Sequence, residues 1–132
     1  MKKLKHGDIT EKILGAAFEV HKFLGNACLP ARQGFQEVIY QRALAWEMSQ
    51  VVLTFNREIE QDIYYKELSK SIGSRRADFV VEGKVLVELK AIKDLEDVHY
   101  AQALNYLKAY RLEVALLINF GSKSLHFKRL VL

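Results

Sequence analysis

The chain has 132 residues, half of them hydrophobic and 27% charged, with a formal net charge of +4. That suits one domain over residues 1–132 with its own core, and it excludes a disordered polyelectrolyte. No apolar run can span a bilayer, the basic start MKKLKHGDITEK lacks a signal-type apolar run, and Cys28 has no partner for an internal disulfide, so no membrane and a reducing cytoplasm are expected.

The first helix is expected to open at Asp8 or Thr10, because DITE has the D-x-x-E spacing of a capping box. Ile9, Ile13, Ala16, Ala17, Val20 and Leu24 then form one stripe, with His21 at its border and Gly25-Asn26 as the stop. NACLPARQG holds the only proline and reads as a loop, and a second helix follows from about Phe35 to Gln50. VVLTFNREIEQDIYY has the residue types of a strand, and KELSKSIGS reads as a connection or a short extra strand. RADFVVEGKVLVELKA reads as two strands turning at Glu82-Gly83-Lys84. A third helix is expected from roughly Leu95 to Tyr110. EVALLINF is a continuous apolar run, as in a strand covered on both faces, and its place after strand and helix suggests a parallel crossover. SLHFKRLVL closes the chain as a more exposed strand, which makes an α/β (α+β) fold with a central mixed sheet flanked by helices.

The hairpin carries the chemistry. Ala77, Phe79 and Val81 answer Val85, Val87 and Leu89 on one face, while Asp78, Glu88 and Lys90 sit on the other among Val80 and Leu86. Two readings fit. Converging carboxylates can share a divalent cation, with oxygen ligands suited to Mg²⁺ or Mn²⁺ and Lys90 beside the water; or Lys90 simply pairs with Asp78 or Glu88 across the strands. On the second helix, Glu37 falls near Leu44 and Met48 on the wheel, with Tyr40 and Gln41 flanking, so a carboxylate points where the apolar face points and needs a partner. On the third, His99, Gln102 and Tyr106 share one arc, which could position a water, a phosphate or a carboxylate, or be an ordinary amphipathic edge. His21 alone reads as a satisfied core histidine. Arg75, Arg76, Lys84, Lys108, Arg111, Lys123, Lys128 and Arg129 are scattered: either a phosphate-binding rim or solvated surface. No nucleotide loop, nucleophile elbow or paired C-x-x-C occurs.

An acid in a helix, then Asp, then Glu-x-Lys on paired strands, then Gln-x-x-x-Tyr on a helix resembles the PD-(D/E)xK nuclease superfamily in its RecB-like exonuclease form. More narrowly, GFQEVIY matches G-x-x-E-x-x-Y at Gly34, Glu37 and Tyr40. With SRRAD, VLVELKA, AQALNYLKAY and LLINFG, nearly the entire chain resembles the GxxExxY protein family. The resemblance implies a restriction-endonuclease-like core and a Mg²⁺- or Mn²⁺-dependent nuclease acting on nucleic acid, DNA above all. It also leaves open a non-catalytic nucleic-acid-binding or protein-interaction module that retains the fold. It implies Glu37 as the helical acid, Asp78 and Glu88 as metal ligands with the Leu89 backbone carbonyl, and Lys90 as the water-orienting lysine. Gln102 and Tyr106 would support them, with Tyr40 and His99 nearby, His21 as a further candidate ligand, and Arg75 and Arg76 toward the nucleic acid. Ala77 stands where the superfamily's name has proline, and the loop before Gly34 is longer than the family's usual link. Pairing of two copies would enlarge the binding surface of so small a nuclease.

Overall fold

The computed structural model describes residues 4–26 and 35–132. Cys28, Gly34 and most of the proline-bearing loop lie outside the described residues, as do the side chains of Ile59, Gln61 and Arg75. The elements run α1 (Gly7–Leu24), α2 (Glu37–Gln50), β1 (Phe55–Ile63), β2 (Gly73–Val81), β3 (Val85–Lys90), α3 (Asp97–Tyr110), β4 (Val114–Asn119) and β5 (His126–Val131). The five strands form one sheet in the order β1-β2-β3-β4-β5, antiparallel throughout except for the parallel pair β3–β4 bridged by α3. It is the mixed α+β architecture expected from the order of the patterns.

The sheet divides the core. On one side Phe79, Val81, Val85, Val87, Leu89, Leu116 and Ile118 pack against Ile13, Ala17 and Val20 of α1 and Tyr40, Leu44 and Met48 of α2. On the other, Val80, Leu86 and Ala115 meet Ala103 and Leu107 of α3. Every residue of β4 is buried, which is why that strand reads as an unbroken apolar run, and β5 is exposed over most of its length. Tyr40 stacks on Phe120 with centroids 4.9 Å apart and donates its hydroxyl to the Gly25 carbonyl at 2.8 Å, tying α2 to the end of α1. No helix among the described residues is long and apolar enough to cross a membrane.

Three local expectations need correction and one open choice is resolved. DITE makes no capping box: α1 starts at Gly7, after His6 in a left-handed conformation, and Asp8 lies inside the first turn, where its charge suits the helix dipole. The second and third helices begin two residues later than the apolar pattern suggests, at Glu37 and Asp97, the latter because Glu96 and His99 form the capping box. KELSKSIGS is a connection, one of its two readings, and not an extra strand, except that its last two residues, Gly73 and Ser74, extend β2 toward its N-terminus. Finally, Ala77 does not share a face with Phe79. It packs in the α3-side cluster while Phe79 packs in the α1–α2 side, so the alternation breaks at Asp78.

Candidate active site

That break is the origin of the site. β2 and β3 pair through only three residues, Val81↔Val85, Val80↔Leu86 and Phe79↔Val87. One step further, the Asp78 carboxylate replaces the backbone as acceptor: its Oδ2 takes the Leu89 N–H at 2.8 Å. Oδ1 takes the Gln41 amide from α2, also at 2.8 Å. Next in line, the Ala77 N–H donates to the Tyr110 hydroxyl at 3.0 Å. On the outer side Glu58, between the pairs Arg57↔Phe79 and Ile59↔Ala77, has φ 52°, a left-handed conformation inside a strand. Strand distortions of this kind persist where neighbouring structure enforces them. Here the enforcing groups are Gln41, Leu89 and Tyr110, and the result is a fork between β2 and β3 that opens beside Asp78.

Glu88 and Lys90 stand on the other arm of the fork, both half-buried. Burial, then the Asp78 carboxylate, raise the Glu88 pKa from its ordinary 4.5 to about 9, with Glu37 adding to the push and the Asp78 backbone and Lys90 opposing it. One oxygen, Oε1, is buried without a hydrogen-bond partner. Burial also raises Asp78, against the hydrogen bonds from Leu89 and Gln41, the charge of Lys90 and a hydrogen bond with the Glu88 side chain. Glu37, first residue of α2, keeps solvent access, yet partial burial and the Asp78 charge raise its pKa while Lys90 lowers it. The three carboxyl groups and one ammonium therefore lie within one another's field.

They do not form an ordinary ion pair. Among the described residues the ion pairs are Lys5–Glu113 and Arg76–Glu60, both exposed, and Lys90 belongs to neither. The structure thus departs from the cross-strand pairing of Lys90 with Asp78 or Glu88. No three His, Cys, Asp or Glu side chains among the described residues stand as a ready-made metal cluster. The donors that fit a cation are Asp78 and the bare oxygen of Glu88: hard oxygen ligands, with the Glu88 pKa raised by burial and then by the Asp78 charge.

The other candidates are placed as follows. Tyr40 is fully buried and its hydroxyl is used on Gly25, so its visible work is to fix α2 and hence Glu37 and Gln41. The His21 Nε2 lies 3.0 Å from the Ser122 carbonyl, an acceptor, so that nitrogen carries the proton and is not available to a cation. His99 accepts the Glu96 N–H on Nδ1 at 2.8 Å and caps α3. Gln102 is exposed, and Tyr106 packs on the α3-side core with its ring 6.5 Å from that of Tyr110. The Arg76 guanidinium is 3.3 Å from Glu60 on β1.

Two supporting residues have no role assigned from the sequence. Gln41 follows Glu37 at i+4, a spacing that puts both on one helix face and was a readable signal. Asn119 is fully buried at the end of β4, where its Oδ1 accepts the Ile92 and Gly121 N–H groups at 3.0 Å each and its Nδ2 donates to the Ile92 carbonyl at 2.9 Å. With the Phe120 N–H bonded to the Lys90 carbonyl at 2.8 Å, it clips the chain leaving β3 and so fixes the base of Lys90. A lone Asn in an apolar run offered little to distinguish it.

Compared with known families, residues 7–130 match the one described as the PD-(D/E)XK nuclease superfamily. No curated protein and no solved structure matches the chain.

Proposed function

The chain belongs to the PD-(D/E)XK nuclease superfamily, and on that premise we propose that it is a divalent-cation-dependent nuclease, with DNA as its substrate and the fork between β2 and β3 as its active site. Within the superfamily we assign it to the GxxExxY, RecB-like branch on the motifs around Glu37 and Glu88. The observation that carries the reading is a set of acids gathered around Lys90 without an ion pair, one of them with a buried oxygen that nothing satisfies. A purely structural cluster would be expected to close that bond within the protein.

Asp78, Glu88 and the Leu89 carbonyl would hold Mg²⁺ or Mn²⁺. When bound, such an ion supplies Lewis-acid charge against the phosphoryl oxygen and acidity for the attacking water. Gln41 and the Leu89 N–H hold the Asp78 carboxylate in one orientation and favour its charged form. Lys90 orients the water and steadies the negative charge that develops on it. Glu37, at the solvent side, faces the entering phosphate or its water. Val80 and Leu86, both buried, keep the floor dry, so the charges above them act in a weaker dielectric.

The test is Lys90→Ala, read as Mg²⁺-dependent nicking and thermal midpoint on the same two proteins. Cleavage is expected to fall by about 10²–10⁴-fold while Mn²⁺ binding holds. A wild type that cuts no single-stranded, duplex or flapped DNA or RNA, with a variant that only melts earlier, would instead make the chain a binding module on a nuclease fold.

A further inference from the structure

β1 and β2 run on together past the fork. Their pairing continues through Ile59↔Ala77, Glu60↔Arg76 and Asp62↔Ser74 to Ile63↔Gly73, where β3 no longer accompanies them. This two-stranded arm ends in residues 64–72, whose Tyr64, Tyr65, Lys66 and Lys70 are exposed. Beside it lies an open groove of about 460 Å³ between Asp62 and Tyr64 on the arm and Asn105, Lys108 and Arg111 on α3. Tyr110, the neighbour of Arg111 in the chain, links this wall to the site, because its hydroxyl holds the Ala77 N–H next to Asp78.

The chemistry of the groove is that of a strand of nucleic acid. Lys108 and Arg111 form no ion pair among the described residues, and Asp62 is the one acid on the lining. The Lys66 ammonium sits 5.2 Å from the Tyr65 ring centroid, so that ring already has a cation, whereas Tyr64 is 57% exposed at the groove's edge. Cations along a groove with an aromatic face beside them hold single strands, because a base can stack on a ring only when it is not stacked in a duplex. Tyr64 lies two residues beyond Asp62, the partner of Ser74, and so is level with Ile72, which at about 3.3 Å per strand residue is roughly 20 Å from Asp78, a span of several nucleotides of one strand.

We propose that the β1–β2 arm and the C-terminal half of α3 form a single-strand grip, in which Lys108 and Arg111 contact phosphates and Tyr64 stacks a base several nucleotides from the scissile phosphate. The position of that phosphate rests on the nuclease reading; the grip itself is measured without cleavage. The probe is a fluorescein-labelled oligothymidylate of about 20 nucleotides, with the matching oligouridylate and a duplex beside it, titrated by anisotropy in EDTA from about 50 to 200 mM salt. Tyr64→Ala should weaken single-strand binding about tenfold with the salt slope unchanged, and Tyr64→Phe should restore it. Lys108→Ala with Arg111→Ala should flatten the slope of log affinity against log salt by about 1.4, two phosphates at about 0.7 each. The oligouridylate arm tells RNA from DNA. A wild type that binds no single strand, a duplex bound more tightly than the single strand, or Tyr64→Ala binding like wild type would overturn the grip, the last also being the result expected if the exposed Leu68 and Ile72 made this arm a protein-docking element. A wild type that grips as stated but never cuts in Mn²⁺ would remove the catalytic reading and leave the grip; one that cuts, and whose Tyr64→Ala variant binds and cuts equally well, would do the reverse.

Discussion

Glu88→Gln removes an acid from the centre of the site, and in the metal-free protein it should stabilise. The folded protein holds the Glu88 proton with a pKa of about 9, against an ordinary 4.5. The stability contributed by that proton is fully present below about pH 4.5 and is lost as pH rises through about 9. Between those limits the folded state binds one proton more than the unfolded, so stability falls by about 1.4 kcal/mol per pH unit, or about 4 kcal/mol from pH 5 to pH 8. Glutamine has the shape of the protonated acid and cannot ionise. The two proteins should therefore be nearly equal in stability at pH 5 and diverge in the variant's favour toward pH 8, by chemical denaturation in EDTA. Saturating Mn²⁺ should reverse the order at pH 8, because the cation replaces the proton in wild type and finds only an amide in the variant. Parallel pH profiles for the two proteins in EDTA would show that Glu88 ionises freely in the folded state, and the reasoning from its burial would fail.

Asp78→Ala should abolish calorimetric Mn²⁺ binding and also leave the Leu89 N–H and the Gln41 amide without their acceptor, at about 1–3 kcal/mol of stability for each group that stays dry. Equal Mn²⁺ affinity in wild type and variant would sink the assignment. Gly121→Ala would place a Cβ 1.9 Å from the Ile92 carbonyl oxygen and 2.4 Å from its nitrogen, so the clip from Asn119 must open. A loss of about 3 kcal/mol in denaturant, with cleavage falling further than stability explains, is expected, and an unchanged midpoint would refute the clip.

The fold was legible because its patterns are mutually consistent. The stripe of α1, the unbroken run of β4 and the exposed β5 each state how many faces are covered, and together they fix a mixed sheet with helices on both sides. The strand acids were legible for the same reason: charge inside an aliphatic hairpin breaks a rule that the rest of the chain keeps. Other features were hidden by what sequence cannot encode locally. Whether His99 serves the site or a helix cap depends on where α3 begins, a difference of two residues. Whether the His21 Nε2 is free depends on Ser122, 101 positions away. The role of Gln102 rests on a shared helical arc and on family likeness, and here the side chain is exposed.

The alternation rule fails at the one residue that matters most, and its failure explains how two similar carboxyl groups acquire different states. Had Asp78 continued the ladder, it and Glu88 would have faced each other as equivalent cross-strand neighbours. Because the strands part, Asp78 turns its two oxygens to two donors, the Leu89 N–H and the Gln41 amide, and these favour its charged form. Glu88 receives less help: the Asp78 backbone assists it, while its Oε1 remains bare and buried. Glu88, with its pKa pushed to about 9, therefore holds its proton, and negative charge is better supported on Asp78 than on Glu88, an asymmetry imposed by environment. Lys90, held from behind by the Phe120 N–H on its carbonyl, balances that charge from a distance without being drawn into an ion pair. On the proposed nuclease reading, a divalent cation would displace that proton, satisfy the Glu88 Oε1 and leave Lys90 to act on water.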